Sequence, residues 1–149
     1  MTEAAGLTLI KTQVQAVTGF DANNTTIGKW GILNSGKNDH YAIIKPGETT
    51  RENYSLSAVG TLYTTIIEVW QRYKDDGETL TDLLAHIENI TARIDQYRKL
   101  ADTTSTIRDA NIVGYGDVNE QWNKDGGVSW LSRDIVIEWT EEEPITYAE

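Results

Sequence analysis

From Thr61 to Tyr73 the chain reads TLYTTIIEVWQRY, with apolar side chains on both sides of a two-residue repeat. β-Branched and aromatic residues suit a pleated surface, so the stretch predicts a strand. Alternation puts Tyr63, Ile67, Val69 and Tyr73 on one face. Leu62, Ile66 and Trp70 fall on the other, interrupted by Glu68 and Arg72. Neither face is polar throughout, so both require cover. A helix suits the first. The charges on the second make it the better surface for a neighbouring subunit.

Lys74-Asp75-Asp76-Gly77 is an acidic turn, and the apolar period then changes from two to 3.6. Leu80, Leu83, Leu84, Ile87, Ile90, Ile94 and Tyr97 form one stripe, which predicts a helix over residues 78–100. Thr79 and Asp82 stand three apart, as in a capping box with Asp in place of Glu. Acids gather in the first half (Glu78, Asp82, Glu88) and bases in the second (Arg93, Arg98, Lys99), the order the helix dipole favours. Asp95 precedes Lys99 by four, the favourable order for an ion pair.

The flanks are less regular. Leu7, Ile10, Val14 and Val17 predict a first helix over residues 3–18, ended by Gly19 and lying on a surface. Residues 19–40 read as a long loop, in which Trp30 is free to plug the domain or a neighbour. Tyr41–Lys45 reads as a short strand closed by Pro46-Gly47, with a second strand near residues 51–57. After Leu100 the polar run Asp102–Ser105 breaks the helix. Residues 107–115 read as a strand, with Gly114 and Gly116 signalling a bulge or a close approach. Residues 117–130 read as a polar link holding Trp122 and an Asp125-Gly126-Gly127 turn. Residues 131–140 form the cleanest strand, with Leu131, Ile135, Ile137 and Trp139 on one side. The acidic stretch 141–149 reads as an arm, frayed or bound to a partner. Strands in runs with segregated helices imply an α+β fold: a mainly antiparallel sheet of four to five strands packed by two helices, in a single domain over 1–149.

Composition sharpens the functional reading chiefly by exclusion. With 149 residues, one core without staples suffices. There is no cysteine, hence no disulfide framework and no thiol chemistry. The opening MTEAAGLTLIKTQ is unlike a secretory signal, and no apolar run approaches a membrane span. A net charge of −10 argues against a general nucleic-acid binder. Five Trp and seven Tyr point instead to a rich core, an interface, or both.

Candidate chemistry is sparse. His40 and His86 are the two histidines, and no G-x-S-x-G elbow accompanies them. No His-Glu-x-x-His is present. Asp117, Asn119, Gln121, Asn123 and Asp125 alternate like a calcium loop, but Trp122 and Val128 stand where an EF-hand needs Gly and Glu. Ser35-Gly36-Lys37 lacks the glycine spacing of a phosphate loop. The Asn-x-Ser/Thr triplets at Asn24, Asn53 and Asn89 matter only on secretion. Glu68, mid-strand between Ile66 and Trp70, is either a tuned carboxylate or a charge that pairs with a cross-strand cation or lies at an interface, and the interface is favoured. The expectation is therefore no catalytic, cofactor or metal site. The expected interface set is Leu62, Ile66, Glu68, Trp70, Arg72, Trp30 and Trp122.

The order of these elements resembles that of the tail terminator proteins of long-tailed bacteriophages. The likeness rests on a short first helix, a loop-rich excursion, TLYTTIIEVWQRY, TLTDLLAHIENITARIDQYRKL and a late strand pair ending in WLSRDIVIEWTEEE. It is one of order and style and spans about residues 3–141. It implies a structural protein of the virion neck, assembled in the bacterial cytoplasm. Such a protein forms a homohexameric ring, caps the tail tube and meets head-completion proteins, with DNA passing transiently through the lumen. A head–tail connector or tail-completion protein is the nearest alternative. A small ligand-binding or enzyme domain using Glu68, His86 or the aromatics is the alternative from another class.

Overall fold

The computed structural model describes residues 3–35, 37–53, 58–102, 107–122 and 128–144. Helix α1 (Glu3–Gln15) is followed by the short strand β1 (Thr25–Ile27) and a 3-10 helix (Trp30–Ser35). Strands β2 (His40–Asn53) and β3 (Ala58–Arg72) lead to helix α2 (Asp76–Gln96). Strands β4 (Ile107–Tyr115), β5 (Asn119–Trp122) and β6 (Val128–Pro144) complete the order. The fold is α+β, with six strands in one sheet.

The sheet runs β1-β2-β3-β6-β4, and every pairing is antiparallel except β1 with β2. Strand β6 is long enough to hold two partners end to end on one edge. β5 pairs with its first residues, near Leu131, and β4 with its later ones, near Ile137. β3 is central, lying between β2 and β6 along its whole length.

Both helices lie on one face of the sheet. Ile10 and Val14 of α1, and Leu83, Ile87, Ile90 and Ile94 of α2, are fully or nearly fully buried there. They pack on Ala42, Ile44, Ile67, Val69, Ile135, Ile137 and Trp139, the alternate residues of three adjacent strands. Tyr63 stacks on Trp139 at 4.3 Å between ring centroids, extending this core along the sheet. The Arg93 guanidinium donates to Gln13 Oε1 at 2.9 Å and ties the two helices together.

Several expectations need correction. The first helix stops at Gln15, short of residue 18, although it lies on a surface as expected, with its stripe turned to the sheet. Residues 19–40 are no bare loop, because they contain β1 and the 3-10 helix. Asn24 organises the turn before β1: its amide donates to the Gly19 carbonyl, and its Oδ1 accepts from Asp21 N at 2.8 Å. Pro46-Gly47 does not end a strand. It forms a bulge inside the continuous β2, which absorbs the expected strand near residues 51–57; residues 54–57 lie outside the described set. Ala42 and Ile44 turn their backbone groups toward β1, so Pro46, two further on, faces the same way past the end of β1. A missing N–H is harmless on that open edge.

The cap of α2 is Asp75, whose carboxylate accepts from Glu78 N at 2.7 Å. Thr79, expected to start a capping box, instead accepts through its hydroxyl from the N–H groups of Lys74 and Asp75. The helix ends at Gln96, so Lys99 is not on its surface and the expected pairing with Asp95 lacks its helical spacing. Trp122 sits in strand β5, where a polar link was expected. Residues 141–144 extend β6. The Asp125-Gly126-Gly127 turn and arm residues 145–149 lie outside the described residues.

A candidate functional site: a tryptophan groove

The sheet face away from the helices carries Tyr41, Ile43 and Lys45 on β2, Leu62, Ile66, Glu68, Trp70 and Arg72 on β3, and Trp130, Ser132, Asp134 and Val136 on β6. Alternation alone selects them. The 3-10 helix folds over one corner. Ser35 Oγ and Tyr41 Oη hydrogen-bond at 2.9 Å, and Asn38 N donates to the same Oη at 3.1 Å. Tyr41 and Ile43 are completely buried as a result.

Beside that cover lies an open groove of about 400 Å³. Trp30 from the 3-10 helix, Trp70 from β3, Trp122 from β5 and Trp130 from β6 all line it. These are four of the five tryptophans in the chain; the fifth, Trp139, is in the core. Leu33, Asn34, Gln121 and Ser129 complete the lining, so no charged side chain is among them. Trp122 is 63% exposed and Trp30 43%, large exposures for indoles.

Glu68 anchors two of these indoles. Its Oε1 accepts from Trp30 Nε1 at 2.7 Å and from Trp70 Nε1 at 3.1 Å, while Oε2 meets Lys45 Nζ at 2.6 Å. Burial pushes the Glu68 carboxyl up. The hydrogen bonds from Lys45, Trp30 and Trp70, with the ammonium charge, outweigh it and hold the group below its ordinary value. The same pairing lifts Lys45 above the usual lysine range. Asp134 stands directly across from Glu68 on β6. Burial, then the charge of Glu68, raises its carboxyl. Arg72 lies over the Trp130 ring at 4.9 Å.

The expected interface residues thus divide. Trp30, Glu68, Trp70 and Trp122 come together at the groove, and Arg72 joins them through Trp130. Leu62 and Ile66 lie on the same face but further along β3. Trp130, Lys45, Asn34 and Gln121 were missed. Trp130 carried the one available signal, since it directly precedes the alternating run of residues 131–140.

The histidines form a separate cluster on the helix side. Their rings stack at 4.4 Å, and Phe20 meets both edge-on. His40 faces the Asp39 carboxylate at 2.6 Å and the Gly19 carbonyl at 2.5 Å. His86 Nε2 bonds Gln71 Oε1 at 3.0 Å. A triad would put a serine hydroxyl against one ring, and none is among these partners. Through its bond to Gln71, His86 bridges α2 to β3. Asn119 and Gln121 of the calcium-like run pair with Ser132 and Trp130 in the sheet. No cluster of three or more metal-ligating side chains occurs among the described residues.

The groove presents aromatic faces framed by uncharged polar groups. Both Glu68 oxygens are engaged and the group stays ionised, so it is poorly suited to proton transfer. Compared with known proteins, the chain matches no family model and no curated protein sequence. Among the described residues, no helix is long and apolar enough to cross a membrane.

Proposed function

We propose that this protein is a structural subunit that assembles with copies of itself, as a tail terminator of a long-tailed bacteriophage. In this reading it forms a six-fold ring, caps the tail tube and joins it to the head-completion proteins. One observation carries the assembly part of the proposal: four tryptophans, two of them orientated by a buried carboxylate, are gathered half-exposed on the helix-free side of the sheet. Tryptophan and arginine are the residues in which binding energy concentrates at protein interfaces, and pre-set rotamers lower the entropy of docking. The phage assignment rests on the resemblance in element order. A head–tail connector or tail-completion protein has the same requirements and differs only in its neighbours.

Closed rings of identical subunits need two different patches that fit each other. The groove supplies one. Six copies at −10 each carry −60. Acid turned toward a lumen lets DNA pass, because a basic wall would bind phosphate. A second reading, a small-ligand binding domain, draws support from the concavity of the groove. It requires a protein that stays monomeric or dimeric. Light scattering across a range of concentrations separates the two. A concentration-dependent oligomer near six copies is expected, and a strict monomer that also fails to bind tail tubes overturns the ring.

A further inference from the structure

We infer that the tryptophan groove receives residues 145–149 of a second copy of this chain. This rests on the ring reading and names the contact that would build the ring. The groove is lined by aromatic and uncharged polar groups. Arg72 lies over Trp130, and the Glu68 carboxylate behind Trp30 and Trp70 is already paired with Lys45. A cation at the rim of an aromatic groove favours an acidic, apolar partner. The stretch 141–149, EEEPITYAE, has that composition. It places Ile145 and Tyr147 between carboxylates at Glu142, Glu143 and Glu149. Alternate apolar residues would turn Ile145 and Tyr147 to the same side of an extended segment, toward the indoles.

Distance makes the contact intermolecular. Pro144 pairs with Ala58, and Trp70 lies twelve residues further along β3 (70 − 58). At about 3.3 Å per residue that is roughly 40 Å. Residues 145–149 span at most about 17 Å when fully extended. Pro144 lies at the opposite end of the sheet from its own groove, so residues 145–149 fall short of that groove, whereas the groove of a neighbour placed end-on would be within reach. The arm and the groove are then the two complementary patches of a heterologous contact.

The test uses the full chain and the synthetic peptide EEEPITYAE, which has no tryptophan, so that any change in indole fluorescence comes from the protein, four of whose five indoles line the groove. Trp122→Ala removes the most exposed groove indole and Tyr147→Ala alters only the arm; circular dichroism confirms that both fold. Each variant is expected to associate only at concentrations about tenfold or more above wild type, the loss typical of an interface anchor. Mixing the two should restore a two-chain complex through the one intact arm and one intact groove. The peptide should perturb the fluorescence of the Tyr147→Ala protein and bind Trp122→Ala at least about tenfold more weakly. If wild type and both variants assemble alike, the arm contact is wrong while the ring reading stands. If the peptide binds and wild type stops at two chains, the arm contact stands and the ring falls. A monomeric wild type that ignores the peptide sinks both.

Discussion

His86 is held neutral by its surroundings. Burial, followed by the nearby His40, lowers its pKa from 6.5 to about 4, against the opposing pull of Asp82 and Asp39. The unfolded chain therefore binds a proton at higher pH than the folded one. This contribution to stability is complete above about pH 6.5 and is lost as pH falls toward 4. The full shift corresponds to no more than about 3.5 kcal/mol, and partial exposure of the ring reduces the expected loss to about 1–2 kcal/mol. Urea midpoints measured from pH 7 to pH 4 should fall accordingly, and His86→Gln should flatten that slope. An unchanged slope would mean that the stacked pair is not where the proton enters. Glu68 differs from His86 in kind. Its partners favour the charged form and hold its carboxyl below the ordinary value, so the group that orientates Trp30 and Trp70 is the carboxylate.

At the scale of elements, α1 depends on one small residue. Gly6 lies against the Trp139 indole so closely that a methyl group there would run into the ring. Trp139 cannot easily yield, being completely buried with its Nε1 donating to Thr65 Oγ1 at 3.0 Å. Alanine in place of glycine normally favours a helix by about 1 kcal/mol. Here overpacking should win, and Gly6→Ala is expected to lower stability by about 1–3 kcal/mol, read from the denaturation midpoint. A stabilised Gly6→Ala protein would show that α1 seats less closely on the sheet. The periodicity of α1 revealed its apolar stripe but not this contact, because Trp139 is 133 residues away in the chain (139 − 6). Similarly, the stripe of α2 was legible from Leu83 to Ile94, while its cap was not. Asp75 and Thr79 both suit a helix start, and only the path of the chain leaving β3 decides between them.

Across the whole molecule, stability should be graded by position in the sheet. β3 is paired on both sides along its length, and the middle of β6 on both sides between β3 and β4. β1 has three residues at one edge and β5 four at the other, with β5 exposed throughout. Hydrogen exchange should thus be slowest in β3 and central β6, and fastest in β1 and β5, since local opening breaks the fewest buried contacts there. Slow exchange in β5 in the isolated protein would imply that its outer edge is already covered. An assembled form should slow β5 alone among these strands if a neighbour docks beside Trp122.

The alternation in residues 61–73 and 131–140 and the helical stripe of residues 80–97 were enough to determine an α+β fold and the face each strand gives to the helices. Burial of one face repeats at a fixed local period, so neighbouring residues carry the information. The same alternation put Glu68, Trp70 and Arg72 on the other face. What it could not contain was the meeting of Trp30, Trp70, Trp122 and Trp130. They come from four separate elements and share no period. Tertiary structure decided this by laying the 3-10 helix over Tyr41, and by placing β6 beside β3 with β5 on the far edge of β6. The short strands and the bulge at Pro46 were equally out of reach, because their hydrogen-bond partners lie far away in the chain.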